Sequence, residues 1–144
     1  MPITYRIFPE ADILYADWVG VLSVFEVTEK FRSYLADPLY RAGRSELIDL
    51  TRLENVRFQF RDATTFLSEV NAQSFPAEGG THTVVLAPGN VAWGLSRMFG
   101  TLASLRKGIR MESHRGEEAA LAALRRPERS VAAFLAAVGA SARA

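Results

Sequence analysis

The chain has 144 residues, of which 49% are hydrophobic and 23% charged, and it carries a formal net charge of +1 and no cysteine. This composition predicts one globular domain in a soluble protein, and it excludes a disulfide scaffold, a thiolate metal site and a cysteine nucleophile. The near-neutral charge argues against nucleic-acid binding. We expect a cytoplasmic protein, because the sequence shows neither a signal peptide nor a long apolar run.

The first elements are a hairpin and a helix. Ile3–Phe8 and Ile13–Val19 alternate like strands and are joined by a short turn, which predicts an antiparallel pair. Ser23 and Glu26 have the spacing of a capping box, in which each side chain bonds the other residue's backbone N–H. Apolar residues then recur at helical spacing, so we predict a helix over residues 24–36.

The middle of the chain alternates strands with helices. Glu46–Leu50 is a short strand of the buried type, and Thr83–Ala87 is apolar enough to be central in a sheet. Leu53–Phe60 is ambiguous, because its alternation favours a strand while the next segment predicts a helix over residues 60–72. A loop with proline and glycines connects that helix to Thr83–Ala87.

A third helix follows the turn at Pro88. Its apolar residues are spaced four, three, four and three apart, which predicts one narrow buried stripe: Val91, Leu95, Met98, Leu102 and Leu105. Ile109–Ser113 is then the last strand. Two further helices are predicted, over residues 116–126 and over Ser130–Val138.

This order of elements predicts a single α/β domain over residues 1–144. We expect a mixed β-sheet with an opening antiparallel hairpin and later strands that run parallel, and helices packed mainly on one face. The domain core spans about residues 3–126, and residues 127–144 add an extra C-terminal helix and a tail.

Three segments resemble the SpoIIAA-like proteins, which share the fold of STAS domains: ITYRIFPEADILYADWVG, IDLT, and VVLAPGNVAWGLSRMF. The resemblance implies a STAS-like mixed sheet and a regulatory binding module. Members of this branch are also discussed as binders of apolar ligands or membranes. STAS antagonists are switched by a phosphorylated Asp-Ser-Ser-Gly serine, but here Asp49-Leu50-Thr51 matches only its upstream part. We therefore expect no phosphorylation of Thr51.

The carboxyl edge of the predicted sheet is the first candidate site, because ligands of open α/β sheets usually bind there. The residues that converge on it are Asp49, Thr51, Pro88, Asn90 and His114. Asn90 is placed to cap the third helix, whose free N–H groups suit an anion. Asp49 and His114 would form an acid–base pair beside Thr51 in a remote alternative, a small hydrolase or transferase.

Trp93 is the second candidate. It lies about 200° around the helix from Val91, so we expect it to face away from the sheet with Arg97, Gly100 and Ser104. A large aromatic side chain beside small residues suggests a contact surface for a second copy, a protein partner or a ligand. The alternative is that Trp93 packs against the final helix through Phe134.

Phe58 and Phe60 are the third candidate, because they lie between Arg57 and Arg61. Aromatic side chains flanked by arginines suit a lipid interface. They equally suit the first turn of a helix that covers the core. A basic C-terminal third, net +5 over residues 97–144 against −4 before it, allows contact with anionic lipid or an acidic partner.

The sequence thus predicts a non-enzymatic module that presents a surface or pocket to a protein partner or a small apolar ligand. We expect no cofactor, no metal ion and no nucleic acid, and homodimer formation is an open alternative. The main alternative function is a lipid-binding or membrane-associating carrier. A carrier should contain a continuous apolar cavity between the second and third helices, whereas an interaction module should have a filled core and an exposed patch.

Overall fold

The computed structural model describes residues 2–57, 61, 62, 64, 68, 81–103 and 109–143. Its main element is a five-stranded sheet in the order β1-β2-β4-β6-β7. These strands are β1 (Ile3–Phe8), β2 (Ile13–Trp18), β4 (Ser45–Asp49), β6 (Thr81–Leu86) and β7 (Ile109–His114).

The pairing within this sheet is as predicted. β1 and β2 form an antiparallel hairpin in which Ile3 lies opposite Trp18. β2, β4, β6 and β7 then run parallel to one another. Successive side chains of a strand point to opposite faces of its sheet. Because β4 lies in the middle of the sheet, other elements cover it on both faces.

A second, two-stranded parallel sheet joins β3 (Gly20–Ser23) to β5 (Leu53–Arg57). Gly20 has a φ of +80°, a left-handed conformation that suits glycine, where the chain leaves β2 and enters β3. The strand interpretation of Leu53 onward is therefore correct as far as Arg57. The predicted helix over residues 60–72 falls largely outside the described residues.

The described helices are α1 (Val24–Leu35), α2 (Asn90–Ala103), α3 (Glu117–Ala123) and α4 (Val131–Arg143). The capping box of α1 is confirmed, because the Glu26 N–H donates to Ser23 Oγ at 3.2 Å and the Ser23 N–H donates to Glu26 Oε2 at 2.9 Å. None of the helices in the described ranges is long and apolar enough to cross a membrane.

α3 and α4 pack on one face of the sheet, which we call the filled face. Its centre consists of side chains with almost no exposed surface from both layers: Leu47, Val84, Leu86, Leu121 and Phe134. Phe134 of α4 meets Phe8 of β1 edge to face, with ring centroids 6.2 Å apart. The C-terminal helix is thus part of the main hydrophobic core.

α1 and α2 pack on the opposite face, which we call the cavity face. Val27 of α1 lies in a cluster with Ile3, and Ala92 of α2 lies in a cluster with Val85. The described helices therefore divide evenly between the two faces, whereas the sequence predicted them mainly on one. The helices lie on both faces because the apolar stripes of α3 and α4 cover the face of the sheet that α1 and α2 do not cover.

The buried side of α2 differs from the predicted stripe. Val91 is 52% exposed, whereas Ala92 and Ser96 are only 2% and 3% exposed. The prediction that Val91 marks the buried stripe is wrong, because Ala92 and Ser96 face the sheet there, whereas Leu95 of the same predicted stripe does pack inward, against the cluster that contains Ile3 and Val27. Gly100 also faces inward, since a Cβ atom there would lie 3.9 Å from Met111 Sδ, so its predicted outer position is wrong too.

Candidate functional site

A cavity of about 210 Å³ lies on the cavity face, between the sheet, α1 and α2. Its walls are mostly apolar and come from elements far apart in the sequence: Ile3, Leu14, Ala16, Trp18, Val27, Ile48, Val85, Leu95 and Met111. The sequence analysis expected a carrier to have a cavity between the second and third helices. That second helix lies largely outside the described residues, and among the described helices α1 and α2 line the cavity.

One end of the cavity is polar and centres on Arg44. Only 6% of this residue is exposed. Its Nη1 donates to Asp12 Oδ1 at 2.8 Å, and its Nη2 donates to the Leu39 carbonyl at 3.1 Å. Its Nε is buried and has no hydrogen-bond partner in the described part of the chain. A buried donor without a partner is rare in folded proteins and costly.

Two left-handed residues shape this end. Gly43 has a φ of +85°, which reverses the chain immediately before Arg44. Asp12 has a φ of +57°, a conformation that aspartate tolerates better than most residues. Asp12 closes the β1–β2 hairpin, and its carboxylate pairs with both Arg41 and Arg44. The hairpin turn therefore fixes the arginine loop against the cavity.

Glu46 is the acidic residue among those that line the cavity. It belongs to β4 and shares the cavity face with Ile48, because side chains two residues apart lie on the same face of a strand. The Thr83 hydroxyl donates to Glu46 Oε1 at 2.6 Å. Burial raises the pKa of the Glu46 carboxyl, and the hydrogen bond from Thr83 offsets part of this effect.

Tyrosines complete the polar end. Tyr34 and Tyr40 meet edge to face with ring centroids 5.0 Å apart, and both line the cavity. Burial raises the pKa of each hydroxyl, and the nearby charge of Glu46 adds to the effect. Both hydroxyls therefore stay protonated and can donate a hydrogen bond. Lys30 and Arg41 also line the cavity.

At the sheet's carboxyl edge, the first predicted site, both carboxylate oxygens of Asp49 already accept hydrogen bonds from neighbouring residues. Its Oδ2 accepts from the Tyr15 hydroxyl at 2.7 Å, and its Oδ1 accepts from the N–H and the hydroxyl of Thr51 at 2.9 and 2.6 Å. Burial and the bond to Asp49 raise the pKa of Tyr15. Asp49 therefore holds the loop that follows β4, and the open polar depression beside it also includes Asp17 and Arg52.

The structure does not bring Asp49 and His114 together. They end strands that are two positions apart in the sheet, which is about 9.5 Å. His114 Nε2 instead lies 2.7 Å from Glu112 Oε1, and His82 Nε2 lies 2.8 Å from Glu112 Oε2. The predicted acid–base pair is therefore wrong. Neighbouring strand positions explain the observed cluster, because His82 and Glu112 lie on paired strands.

Asn90 and Pro88 bind Arg115 at the start of α2. The Arg115 guanidinium donates to Asn90 Oδ1 at 3.0 Å and to the Pro88 carbonyl at 3.3 Å. Arg115 also lies over the Trp93 ring, 4.7 Å from its centroid. The sequence predicted a helix cap at Asn90. Its side-chain oxygen instead joins the loop after β7 to the start of α2.

Trp93 is half-buried rather than directed fully outward. It packs against the cluster that contains Leu50 and Val85, and Arg97 lies 5.9 Å from its ring centroid. The alternative partner Phe134 lies on the opposite face of the sheet, so that contact is also wrong. The predictions for Phe58 and Phe60 lie outside the described residues, as does the prediction for Ser104.

Comparison with known proteins identifies the fold. No family model and no curated protein matches the sequence. The structure is similar to the crystal structure of an uncharacterised protein of the DUF3478 family, with a SpoIIAA-like fold, from Shewanella loihica PV-4. The two share 20% sequence identity and a TM-score of 0.51, over 85% of this chain and 93% of that chain. The protein has a SpoIIAA-like fold.

Within this SpoIIAA-like fold, sequence reasoning missed the polar end of the cavity. Arg44 lies in a loop with other arginines, a pattern typical of solvated surface. Glu46 carried a usable signal, because it begins a strand of the buried type and shares its face with Ile48. A carboxyl at such a position must be buried, and a buried carboxyl needs a specific environment.

Proposed function

We propose that the protein is a non-enzymatic binding module that holds a small apolar ligand in the cavity between α1 and α2. The observation that supports this proposal is the cavity itself, which combines apolar walls with one polar end. Ligand sites in proteins commonly have this composition, because apolar walls provide affinity and a few polar groups fix orientation.

The size of the cavity limits the ligand. An engineered apolar cavity of about 150 Å³ in another protein binds benzene. The cavity here, at about 210 Å³, would by the same measure hold roughly eight to ten non-hydrogen atoms. One short chain or one substituted ring fits this limit, whereas a lipid with two acyl chains does not. The proposal therefore favours a small ligand over a bulk membrane lipid.

Octan-1-ol tests the proposal, because it is apolar, uncharged and of suitable size. We expect it to bind and to shift the amide NMR signals of Ala16, Ile48 and Val85. Ser96→Leu places a larger apolar side chain at the cavity wall, and the Ser96 hydroxyl donates to the Trp93 carbonyl of its own helix at 2.9 Å. We expect this variant to bind octan-1-ol about ten-fold more weakly or worse.

Val91→Leu is the matched control, because it changes an exposed residue of the same helix. It should bind octan-1-ol like the natural protein. Absence of any octan-1-ol shift among the cavity residues, or equal binding by the Ser96→Leu variant, would contradict the proposal.

A second candidate function is contact with a protein partner, including a second copy, through Trp93 and the arginines over its ring. Tryptophan and arginine are the residue types most enriched at interface hot spots, which supports this candidate. We expect Trp93→Ala to reduce the mass measured by light scattering from a dimer to a monomer. A natural protein that is monomeric at high concentration would contradict self-association through this surface.

A further inference from the structure

The hydrogen-bonding groups at the polar end of the cavity indicate which chemical group the ligand carries. We infer that the ligand is a small alcohol or phenol, whose hydroxyl accepts a hydrogen bond from Tyr34 or Tyr40 and donates one to Glu46. Its chain or ring then lies along the apolar walls. This inference rests on the proposed function, because it adds a head group to the ligand of the same cavity.

The first step of the argument is a pair of tyrosine hydroxyls that neighbouring side chains leave unused. On the filled face, the Tyr15 hydroxyl donates to Asp49 at 2.7 Å. The hydroxyls of Tyr34 and Tyr40 bond to none of the described residues, although Tyr34 is only 7% exposed. Among those residues, Arg44 Nε is the one fully enclosed side-chain atom that lacks a partner, so both hydroxyls keep surface that a small molecule can reach. Since both tyrosines line the cavity, a ligand there can accept their hydrogen bonds.

The second step is an acceptor close to these donors. Glu46 lines the same cavity, and the Thr83 hydroxyl occupies its Oε1 at 2.6 Å. Within the described ranges, Glu46 Oε2 accepts no hydrogen bond, and like the two tyrosine hydroxyls it is not fully enclosed. The charge of Glu46 contributes to the raised pKa of Tyr34 and of Tyr40, so the three groups lie near one another. A head group that both donates and accepts satisfies all of them better than one that does only one of these.

The third step is the protonation of Glu46. Burial raises the pKa of its carboxyl group, which favours the protonated form relative to a glutamate in water. A ligand hydroxyl donates to this group when it is ionised and accepts from it when it is protonated. An ammonium group only donates and a carboxylate only accepts, so each of these matches one of the two states.

The fourth step is the balance of charge. The described lining of the cavity contains three cationic side chains: Lys30, Arg41 and Arg44. Asp12 pairs with both arginines. The lysine lies 6.0 Å from the ring centroid of Tyr5, whose hydroxyl donates to Asp37 at 2.9 Å. Together with Glu46, three carboxyl groups accompany the three cations. A charged head group would lose its hydration without meeting a surplus of the opposite charge, which favours a neutral one.

The test compares octan-1-ol with its isomer 1-methoxyheptane, an ether that accepts a hydrogen bond but cannot donate one. Octanoate and octylamine supply an anionic and a cationic head group on a chain of the same length. Binding is measured by NMR titration at neutral pH, from the amide signals of Ala16, Ile48 and Val85. We expect octan-1-ol to bind about ten-fold more tightly than the ether, and both charged probes to bind more weakly than octan-1-ol.

Glu46→Met removes the acceptor but keeps a side chain of similar length. The two isomers should then bind within about two-fold of each other, because the ligand's donor has lost its partner. The matched control is Glu54→Met, which changes an exposed glutamate of β5 and should keep the full preference for the alcohol. If Glu46→Met does not fold, the comparison of the two isomers in the natural protein still decides.

The tyrosine donors are tested separately from the acceptor. Tyr34→Phe and Tyr40→Phe, made together, remove both hydroxyls and leave Glu46 in place. Octan-1-ol and the ether should each bind at least about three-fold more weakly, because the oxygen of either probe loses its donor. Unchanged binding of both probes would overturn the inference.

The outcomes separate the two proposals. A preference for octan-1-ol over its isomer that Glu46→Met removes supports both. Equal binding of the isomers by the natural protein, or a preference that survives in Glu46→Met, overturns the alcohol and leaves the apolar ligand in place. Tighter binding of octanoate or octylamine than of octan-1-ol has the same meaning. Failure of all four probes to bind overturns the proposed function and, with it, this inference.

Discussion

The two faces of the five-stranded sheet are built from the same strands but are packed differently. On the filled face, Leu47 and Val84 have no exposed surface and meet Phe134 of α4. On the cavity face, the next residues along the same strands, Ile48 and Val85, line the cavity. The two faces therefore differ in what covers them, since each strand contributes apolar residues to both.

Charged side chains are buried on both faces, but they differ in how completely they are hydrogen-bonded, since Arg44 Nε has no partner among the described residues. The cavity face buries Arg44 and places Glu46 against its lining. The filled face also buries a carboxyl group, that of Asp49 at the end of β4, but both of its oxygens accept hydrogen bonds, from Tyr15 and from Thr51. Burial of a charge costs free energy unless it is paired, so a fold optimised for stability alone would fill the cavity face with apolar residues. We therefore expect the filled face to contribute most of the stability, and the cavity face is the side on which we propose binding.

The largest expected difference between the two faces is in the free energy of unfolding, and it is measured with Leu47→Ala and Ile48→Ala. They truncate adjacent residues of β4 that point to opposite faces. Leu47→Ala leaves a new void in close-packed surroundings and should lower the free energy of unfolding by about 3–5 kcal/mol. Ile48→Ala enlarges a space that already exists and should cost about 2 kcal/mol or less. Urea unfolding measures both, and equal losses would show that the two faces are packed alike.

Glu46→Gln tests the burial of a carboxyl group on the cavity face through the pH dependence of stability. A raised pKa means that the folded state holds the proton more tightly than the unfolded chain. The natural protein therefore loses stability as pH rises above about 4.3, the ordinary glutamate pKa, and through the raised folded-state pKa. Glutamine does not titrate, so the variant should gain stability relative to the natural protein as pH rises. Urea unfolding across this range checks the trend, and a gain that shrinks with pH would contradict it.

Glu112→Gln should show the opposite dependence and the smallest effect. Hydrogen bonds with His114 and His82 lower the pKa of Glu112. Its stabilisation is therefore present above the ordinary glutamate pKa and is lost as pH falls through the lowered folded-state pKa. Because the side chain is 44% exposed, we expect a loss below about 1 kcal/mol near pH 6. Thermal unfolding should show this loss disappear in acid, and a constant loss would exclude the ionised carboxylate as its cause.

Most of the fold could be predicted from local patterns. Alternation indicated the β1–β2 hairpin, and the capping box at Ser23 and Glu26 indicated the start of α1. The parallel strands followed from the order of elements, and the SpoIIAA-like fold is confirmed. The buried side of α2 could not be predicted in this way. Large apolar residues such as Val91 define the sequence pattern, whereas Ala92 and Ser96 face the sheet.

The candidate site was harder to predict because no local pattern encodes it. Its walls combine residues from strands and helices that each resemble ordinary core positions. Arg44 resembles a surface residue until Asp12, 32 positions earlier, is placed against it. The predicted edge residues did converge in part, as with Asp49 and Thr51, but their polar atoms bond to one another and to Tyr15.

A crystal of the protein pressurised with xenon tests the difference between the two faces most directly. Xenon enters apolar cavities and is detected by its strong scattering. We expect one xenon site on the cavity face, in contact with Ala16, Ile48 and Val85, and none among Leu47, Val84 and Phe134. Xenon on the filled face, or its absence from the cavity face, would contradict the account.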